Sequence, residues 1–169
     1  MTRMRQLTTV ILSIAILSAT IRESLAQTVP YKTKGTGIYS PVTGDYSGSG
    51  TGTHMGAHTF FGNIAISPTA NPFVFDFHST VDQTTIAANG DILFFSVSGQ
   101  VELVPLDSTF TTFSAIWTGD FVVTGGTGRF AGAKPASQPL AVIAINDPFT
   151  FADPQWSFSW TLTGQIKVK

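Results

Sequence analysis

The last part of the chain, residues 156–169, alternates strictly between two kinds of side chain. One set is apolar or glycine: Trp156, Phe158, Trp160, Leu162, Gly164, Ile166 and Val168. The set between them is polar: Ser157, Ser159, Thr161, Thr163, Gln165, Lys167 and Lys169. Successive side chains of a β-strand point to opposite faces, so this pattern predicts a long strand with one buried and one solvated face. We therefore expect the rest of the chain to form strands that cover this aromatic face.

The N-terminal residues have the features of a secretory signal peptide. Arg3 and Arg5 precede a mostly apolar run over residues 7–19, and residues 24–26, Ser-Leu-Ala, fit a small-x-small cleavage site. This predicts a signal peptide over residues 1–26, a single mature domain over residues 27–169, and a secreted or periplasmic location. The alternative, a membrane anchor, is disfavoured because the apolar run is shorter than the roughly 20 residues that span a bilayer.

The composition narrows the class of protein. The chain has no cysteine, which excludes disulfides and thiolate metal ligands. Its formal net charge is −1 and its basic residues do not cluster, so no nucleic-acid partner is predicted. No cofactor, no metal and, after signal cleavage, no membrane partner is predicted. Abundant Thr, Phe and Gly with little helical periodicity favour an all-β domain.

Seven further strands precede the last one, and each is bounded by turn residues. They are predicted over residues 31–39, 46–54, 58–67, 73–81, 92–104, 109–124 and 140–146. Residues 27–30 are expected to be a loose leader, and residues 129–133 a short extended piece. Eight strands can close a barrel whose interior is filled by side chains or holds one small ligand. We therefore predict a single eight-stranded antiparallel calycin-like barrel, with a two-sheet sandwich as the alternative.

Three glycines recur at alternate positions of the second predicted strand: Gly48, Gly50 and Gly52. One face of that strand therefore lacks side chains over three steps. Such a stripe lets another backbone or a large aromatic ring approach closely. A flexible Gly/Ser linker is the alternative, which the strict period of two disfavours.

The Gly-Gly-Thr-Gly-Arg-Phe loop at residues 125–130, followed by Ala-Gly-Ala, carries a family resemblance together with Asn89-Gly90-Asp91. These segments resemble the dirigent proteins and the allene oxide cyclase barrel-like superfamily, although Lys134-Pro135 departs from the family's pattern. The resemblance implies an eight-stranded antiparallel barrel, frequently a homo-oligomer of three copies, with a central cavity for a small apolar molecule. It transfers no catalytic residue to this chain.

The same loop supplies candidates for anion binding, namely Gly126, Thr127, Gly128 and Arg129. Consecutive glycines leave backbone N–H groups free, and such a concavity can hold an anion. A purely structural turn is favoured because the spacing of a phosphate-binding loop is absent. In that interpretation Phe130 closes one end of the barrel and Arg129 pairs with a carboxylate such as Asp120.

His54 and His58 share a face if the strand between them is uninterrupted. Two imidazoles at a barrel mouth can bind a metal, act as an acid–base pair or hydrogen-bond a ligand. On a strand their α-carbons lie roughly 13 Å apart, too far for one ion, and Gly56 between them can mark a turn. A structural or cavity-lining role is therefore predicted. Asp76 and His78 lie opposite a stripe of phenylalanines, which places them on an exposed face.

The predicted inward parity of the strands gives a set of cavity-lining candidates. These are His54, His58, Phe60, Phe95, Trp117, Trp156 and Trp160. The same residues would equally fill a packed core, and the sequence leaves that alternative open.

Three functions fit this barrel. The favoured one is an exported module that binds a small apolar or aromatic molecule without catalysis. The second is an allene-oxide-cyclase-like cyclase or isomerase acting on an apolar reactive intermediate, which requires His54, His58, Tyr46 or Arg129 to converge on one cavity. The third is an outer-membrane β-barrel, whose aromatic face would point to lipid; the absence of a terminal aromatic residue disfavours it.

Overall fold

The structure, a computed structural model, describes residues 26–168. The predicted signal peptide therefore lies outside the described residues up to position 25. The described chain forms nine strands and one short 3₁₀ turn, η1, in this order: β1 Gln27–Tyr39, β2 Asp45–Gly52, β3 Gly56–Pro68, β4 Val74–Ala87, β5 Ile92–Pro105, β6 Phe113–Gly126, η1 Gly128–Phe130, β7 Lys134–Pro135, β8 Leu140–Asn146 and β9 Trp156–Val168. Within residues 26–168, no helix is long and apolar enough to cross a membrane.

Eight of these strands form a closed antiparallel barrel. The hydrogen-bonded order is β1-β2-β3-β4-β5-β6-β8-β9, and β9 pairs with β1 to close the ring. The two-residue strand β7 adds only a short pairing with β9. The prediction of an all-β, eight-stranded antiparallel barrel is confirmed, and the two-sheet sandwich is wrong. Closure leaves none of the long strands with an unpaired edge.

Strand β9 has the predicted alternation. Trp156, Leu162 and Ile166 are buried inside, whereas Ser157 and Ser159 are exposed outside. The tryptophan-bearing side thus faces the interior, and the outer-membrane hypothesis required the opposite orientation. The polar side chains at the alternate positions of β9 face solvent on the outer surface of the barrel.

Strand β1 pairs with β9 along its whole length, from Gln27 opposite Val168 to Tyr39 opposite Trp156. The expected loose leader over residues 27–30 is therefore wrong, since these residues are part of β1 and Val29 is buried. The local sequence of residues 27–30 does not predict a strand, but residues 165–168 of β9 pair with their backbone and hold them in the sheet.

The antiparallel order places alternate loops at opposite ends of the barrel. One end, here named the Phe130 end, carries the connections 53–55, 88–91 and 127–139. The other, named the Phe110 end, carries the loops 40–44, 69–73, 106–112 and 147–155. Phe130 is fully buried and closes its end, as expected. It does so from η1, so the predicted extended piece over residues 129–133 is wrong; the backbone N–H of Phe130 bonds back to the Thr127 carbonyl.

Candidate functional site

The barrel interior holds a cavity of about 80 Å³. Its wall is made of aromatic rings and aliphatic side chains, with one amide and no charged group. The lining residues are Tyr39, Tyr46, Phe60, Ile64, Phe77, Gln83, Val97, Trp117, Phe121, Val142, Ala144, Phe158 and Trp160. Inward-facing side chains from all eight barrel strands thus converge on one apolar space.

The rings of the wall support each other edge to face. The Phe60 and Trp160 ring centroids lie 5.2 Å apart at an interplanar angle of 83°. Phe77 and Trp117 lie 5.3 Å apart at 64°. This is the arrangement that aromatic quadrupoles favour, so the wall has a defined shape rather than a set of interchangeable ring positions.

The glycine stripe of β2 makes room for two of these rings. A Cβ atom added to Gly48 would lie 2.6 Å from Cζ of Phe60. One added to Gly50 would lie 3.1 Å from Cζ2 of Trp160. Real Cβ atoms do not tolerate such approaches without displacing a neighbour, so the predicted role of the stripe is confirmed.

The polar groups of the wall form a short hydrogen-bonded chain. The Tyr46 hydroxyl donates to Oε1 of Gln83 over 2.8 Å, and Nε2 of Gln83 donates to Oγ1 of Thr85 over 3.2 Å. Burial raises the pKa of Tyr46 above its ordinary value and raises the pKa of Tyr39 to about 12. Both phenols are therefore neutral at physiological pH, and the cavity wall carries no formal charge.

Trp160 contributes a buried donor without an acceptor. Its indole Nε1 has no hydrogen-bond partner in the described chain, whereas Nε1 of Trp117 donates to Oδ1 of Asn146 over 2.6 Å. A buried unpaired N–H group is unfavourable, and native proteins rarely keep one without a compensating partner. The Tyr31 hydroxyl and Nε1 of Trp156, neither of which lines the cavity, are buried without a partner as well.

The predicted cavity candidates separate into three groups. Phe60, Trp117 and Trp160 line the cavity. His58, Phe95 and Trp156 are buried elsewhere in the interior. Phe95 packs edge to face on Phe121, and Trp156 stacks on Phe149 at a centroid distance of 3.8 Å.

His54 forms the third group, because it lies on the surface and not in the cavity. Strand β2 ends at Gly52 and β3 begins at Gly56, so the predicted strand through His54 is wrong. His54 and Gly56 both adopt positive φ, at 63° and 64°, which reverses the chain between the strands. The shared face of His54 and His58 is lost in this turn.

His58 is buried directly behind the cavity wall. Its Nδ1 lies 3.1 Å from the Gly56 carbonyl oxygen and its Nε2 lies 3.2 Å from Oγ1 of Thr33, while its ring lies 6.0 Å from that of Trp160. Burial lowers the pKa of His58, so the neutral form dominates at pH 7. In the part of the chain that the structure describes, no three His, Cys, Asp or Glu residues come together as a metal site.

Asp76 and His78 lie on the exposed face of β4, as predicted. The Asp76 carboxylate accepts a 2.9 Å hydrogen bond from Nε2 of Gln100 on the neighbouring strand. The pair is therefore part of the outer surface and has no access to the cavity.

The glycine loop of residues 126–129 is tied to the β4–β5 turn. Nε of Arg129 lies 2.9 Å from Oδ2 of Asp91, and its Nη2 donates to Oδ1 of Asn89 over 3.0 Å. The expected pairing with Asp120 is wrong, because Asp120 lies midway along β6 and far along that strand from the loop. The Thr127 hydroxyl also accepts from the Ile92 backbone N–H, so Gly126, Thr127, Gly128 and Arg129 serve this junction at the Phe130 end.

Sequence reasoning did not place Gln83 and did not extend β4 past residue 81. The signal was hidden because β4 shifts register between His78 and Gln83, and the residues that then face inward, Gln83 and Thr85, are polar. Tyr46 was named only for the cyclase hypothesis and not as a cavity-lining residue, although it shares parity with the glycine stripe. Taken together, the site can enclose a small neutral molecule but brings no acid–base pair to it.

No protein-family model, no curated protein and no solved structure matches this chain.

Proposed function

We propose that the barrel binds a small, uncharged, mostly apolar molecule in its central cavity. The observation that carries this proposal is the wall itself, which combines eight aromatic rings with aliphatic side chains and a single hydrogen-bonded amide. Ligand sites of proteins are typically lined by apolar and aromatic groups with a few placed polar ones. A charged ligand would lose its hydration without gaining a counter-ion.

The size of the cavity limits the ligand. At about 80 Å³ it is smaller than the roughly 150 Å³ of a dry cavity that admits a benzene ring. The ligand is therefore smaller than a benzene ring, or it is ring-sized and displaces Phe158 and Trp160, which are only partly buried. A ligand acceptor atom that reaches Nε1 of Trp160 would satisfy this buried indole N–H.

Binding is favoured over cyclisation by what the cavity lacks. Of the four groups that the cyclase hypothesis requires to converge, only Tyr46 lines the cavity. His58 lies behind the wall, and His54 and Arg129 are exposed at the Phe130 end. Among the described residues, the remaining polar group of the wall, Gln83, is neither an acid nor a base.

The test is uptake of small neutral probes by the protein. Xenon, benzene and phenol are titrated against it, and binding is followed by chemical-shift changes of the cavity methyl groups and by tryptophan fluorescence. Ala144→Leu fills the cavity, whereas Ala141→Leu adds the same volume to an exposed position of the same strand. We expect uptake by the wild-type protein and by Ala141→Leu, and its loss in Ala144→Leu. No uptake by the wild type, or equal uptake by Ala144→Leu, would overturn the proposal.

A further inference from the structure

Bulky apolar side chains are exposed on three of the four loops at the Phe110 end. Val42 is 84% exposed, Leu106 50%, Phe110 57% and Phe151 61%. Among the described residues, the loops of the Phe130 end carry no exposed large apolar side chain. Apolar groups clustered on one face of a molecule mark a site of interaction more often than scattered ones do.

The exposed Phe110 side chain is held in one orientation by its neighbours. It adopts a positive φ of 54°, a conformation that bulky side chains rarely take, yet its ring stacks on that of Phe73 at a centroid distance of 5.9 Å. The Asp107 carboxylate fixes the loop by accepting hydrogen bonds from the backbone N–H groups of Thr109, Thr111 and Thr112 and from two threonine hydroxyls. Strain that the surrounding structure overcomes in this way is a feature of binding sites.

Phe151 is supported in a comparable way. Its ring lies 6.1 Å from the buried Phe149 at an angle of 80° and 5.1 Å from the buried Phe113. Both exposed rings therefore rest on fixed aromatic neighbours. Preorganised anchors of this kind lose little conformational freedom when a partner covers them.

The same end is strongly acidic. Its loops and strand ends carry Asp45, Asp76, Glu102, Asp107, Asp147 and Asp153. Among residues 26–168, no Lys or Arg lies within four residues of a strand end on this side. The ion pair between Arg129 and Asp91 lies at the Phe130 end of the barrel. The carboxylates around Phe110 and Phe151 therefore have no internal cation.

We propose that the Phe110 end is a docking surface for a cationic, amphipathic polypeptide segment of another protein. Basic side chains of the segment would face the carboxylates, and its apolar side chains would cover Phe110 and Phe151. An anionic membrane would be repelled by the same carboxylates. A second copy of this chain offers Arg129, Lys134 and Lys167 at its Phe130 end but no exposed large apolar side chain to cover the rings.

The experiment titrates the protein with a fluorescent amphipathic Lys/Leu peptide and with its Glu/Leu counterpart, followed by anisotropy at two salt concentrations. We expect the Lys/Leu peptide to bind, with an affinity that falls as salt rises, and the Glu/Leu peptide not to bind. The double variant Phe110→Ser/Phe151→Ser should lose at least about tenfold in affinity, as expected for interface anchors. Phe61→Ser, at an exposed ring on the side of the barrel, is the matched control and should bind like the wild type.

Charge is tested separately with Asp147→Asn, which should weaken binding, against Asp120→Asn, which should not. Circular dichroism verifies that every variant is folded. Equal binding by Phe110→Ser/Phe151→Ser and by the wild type would overturn the proposal. So would sedimentation that shows self-association of the wild-type protein which Phe110→Ser/Phe151→Ser abolishes, or stronger binding to phosphatidylserine vesicles than to the peptide. The cavity variant Ala144→Leu should bind the peptide normally, so this test is independent of the proposed ligand.

Discussion

The Tyr46 hydroxyl donates a 2.8 Å hydrogen bond to Oε1 of Gln83, joining β2 to β4 across the inner face of β3. The bond depends on Gly62 of β3, because a Cβ atom there would lie 2.6 Å from the Tyr46 hydroxyl oxygen. One absent side chain thus allows two polar groups to meet inside an apolar wall. Each satisfies the other, which lowers the cost of keeping both out of water.

Removing the Tyr46 hydroxyl should destabilise the protein measurably. Tyr46→Phe keeps the ring but leaves Oε1 of Gln83 buried without its donor, which typically costs about 1–3 kcal/mol. The free energy of unfolding from urea denaturation measures the effect. The double variant Tyr46→Phe/Gln83→Met removes both partners, so its loss should be smaller than the sum of the single losses. Strict additivity would show that the bond does not form.

The glycine stripe gives a second prediction. A methyl group at Gly50 would lie 2.5 Å from the Lys34 carbonyl oxygen and 2.9 Å from Nε2 of His58. Gly50→Ala should therefore reduce the unfolding free energy by about 1–3 kcal/mol, as overpacking does, and change the fluorescence of the adjacent Trp160. Gly125→Ala is the control, because its methyl group would meet only Phe94 at 3.8 Å. Equal stability of the two variants would contradict the packing role of Gly50.

Local patterns in the sequence were sufficient to predict the barrel but not its contents. Residues 140–146, a continuous apolar run that ends at Asn146, were predicted as a strand and form β8 with those bounds. Turn residues gave the right number of long strands because Gly, Pro, Asn and Asp act locally. The predicted start of the sixth strand at residue 109 is wrong, because residues 109–112 lie in the loop before β6 and three of their backbone N–H groups donate to the Asp107 carboxylate. The likeness to dirigent-type proteins remains a prediction.

Features that depend on residues distant in the sequence could not be predicted from local patterns. The register shift in β4 that turns Gln83 inward depends on the pairing of β4 with β3 and β5. Arg129 pairs with Asp91 because the loops that carry them lie at the same end of the barrel. Whether the interior is filled or hollow depends on the summed volumes of side chains from eight strands. A difference of about 80 Å³ among so many rings has no signature in the pattern of any one strand.

His58 should make stability depend on pH. Because burial lowers its pKa in the folded protein below the ordinary value of 6.5, the unfolded chain binds the proton more readily. Stability should therefore be constant above about pH 6.5 and fall as the pH drops from there towards the folded pKa. Urea denaturation between pH 8 and pH 5 measures this slope, and it should diminish in His58→Gln. An unchanged slope in that variant would assign the dependence to other groups.

Asp107 should control the order of the loop that carries Phe110. Its hydrogen bonds to Thr109, Thr111 and Thr112 also hold the pKa of its carboxyl well below the ordinary value of 3.8. Asp107→Asn puts an amide donor where the carboxylate accepts, so at least one backbone N–H group of the loop loses its partner. Hydrogen exchange of the Thr109, Thr111 and Thr112 amides should then accelerate, while that of the barrel strands should not change.

Asp120→Asn is the matched control for this variant, since Asp120 lies outside the loop. The lowered pKa of Asp107 gives the same test a second readout in the wild-type protein. The carboxylate stabilises the loop fully above about pH 3.8, and this stabilisation falls progressively as the pH drops from there towards the folded pKa, so protection should decline gradually below pH 3.8. Protection that is already lost above pH 4, or exchange in Asp107→Asn equal to that in Asp120→Asn, would mean that other contacts hold Phe110 in its left-handed conformation.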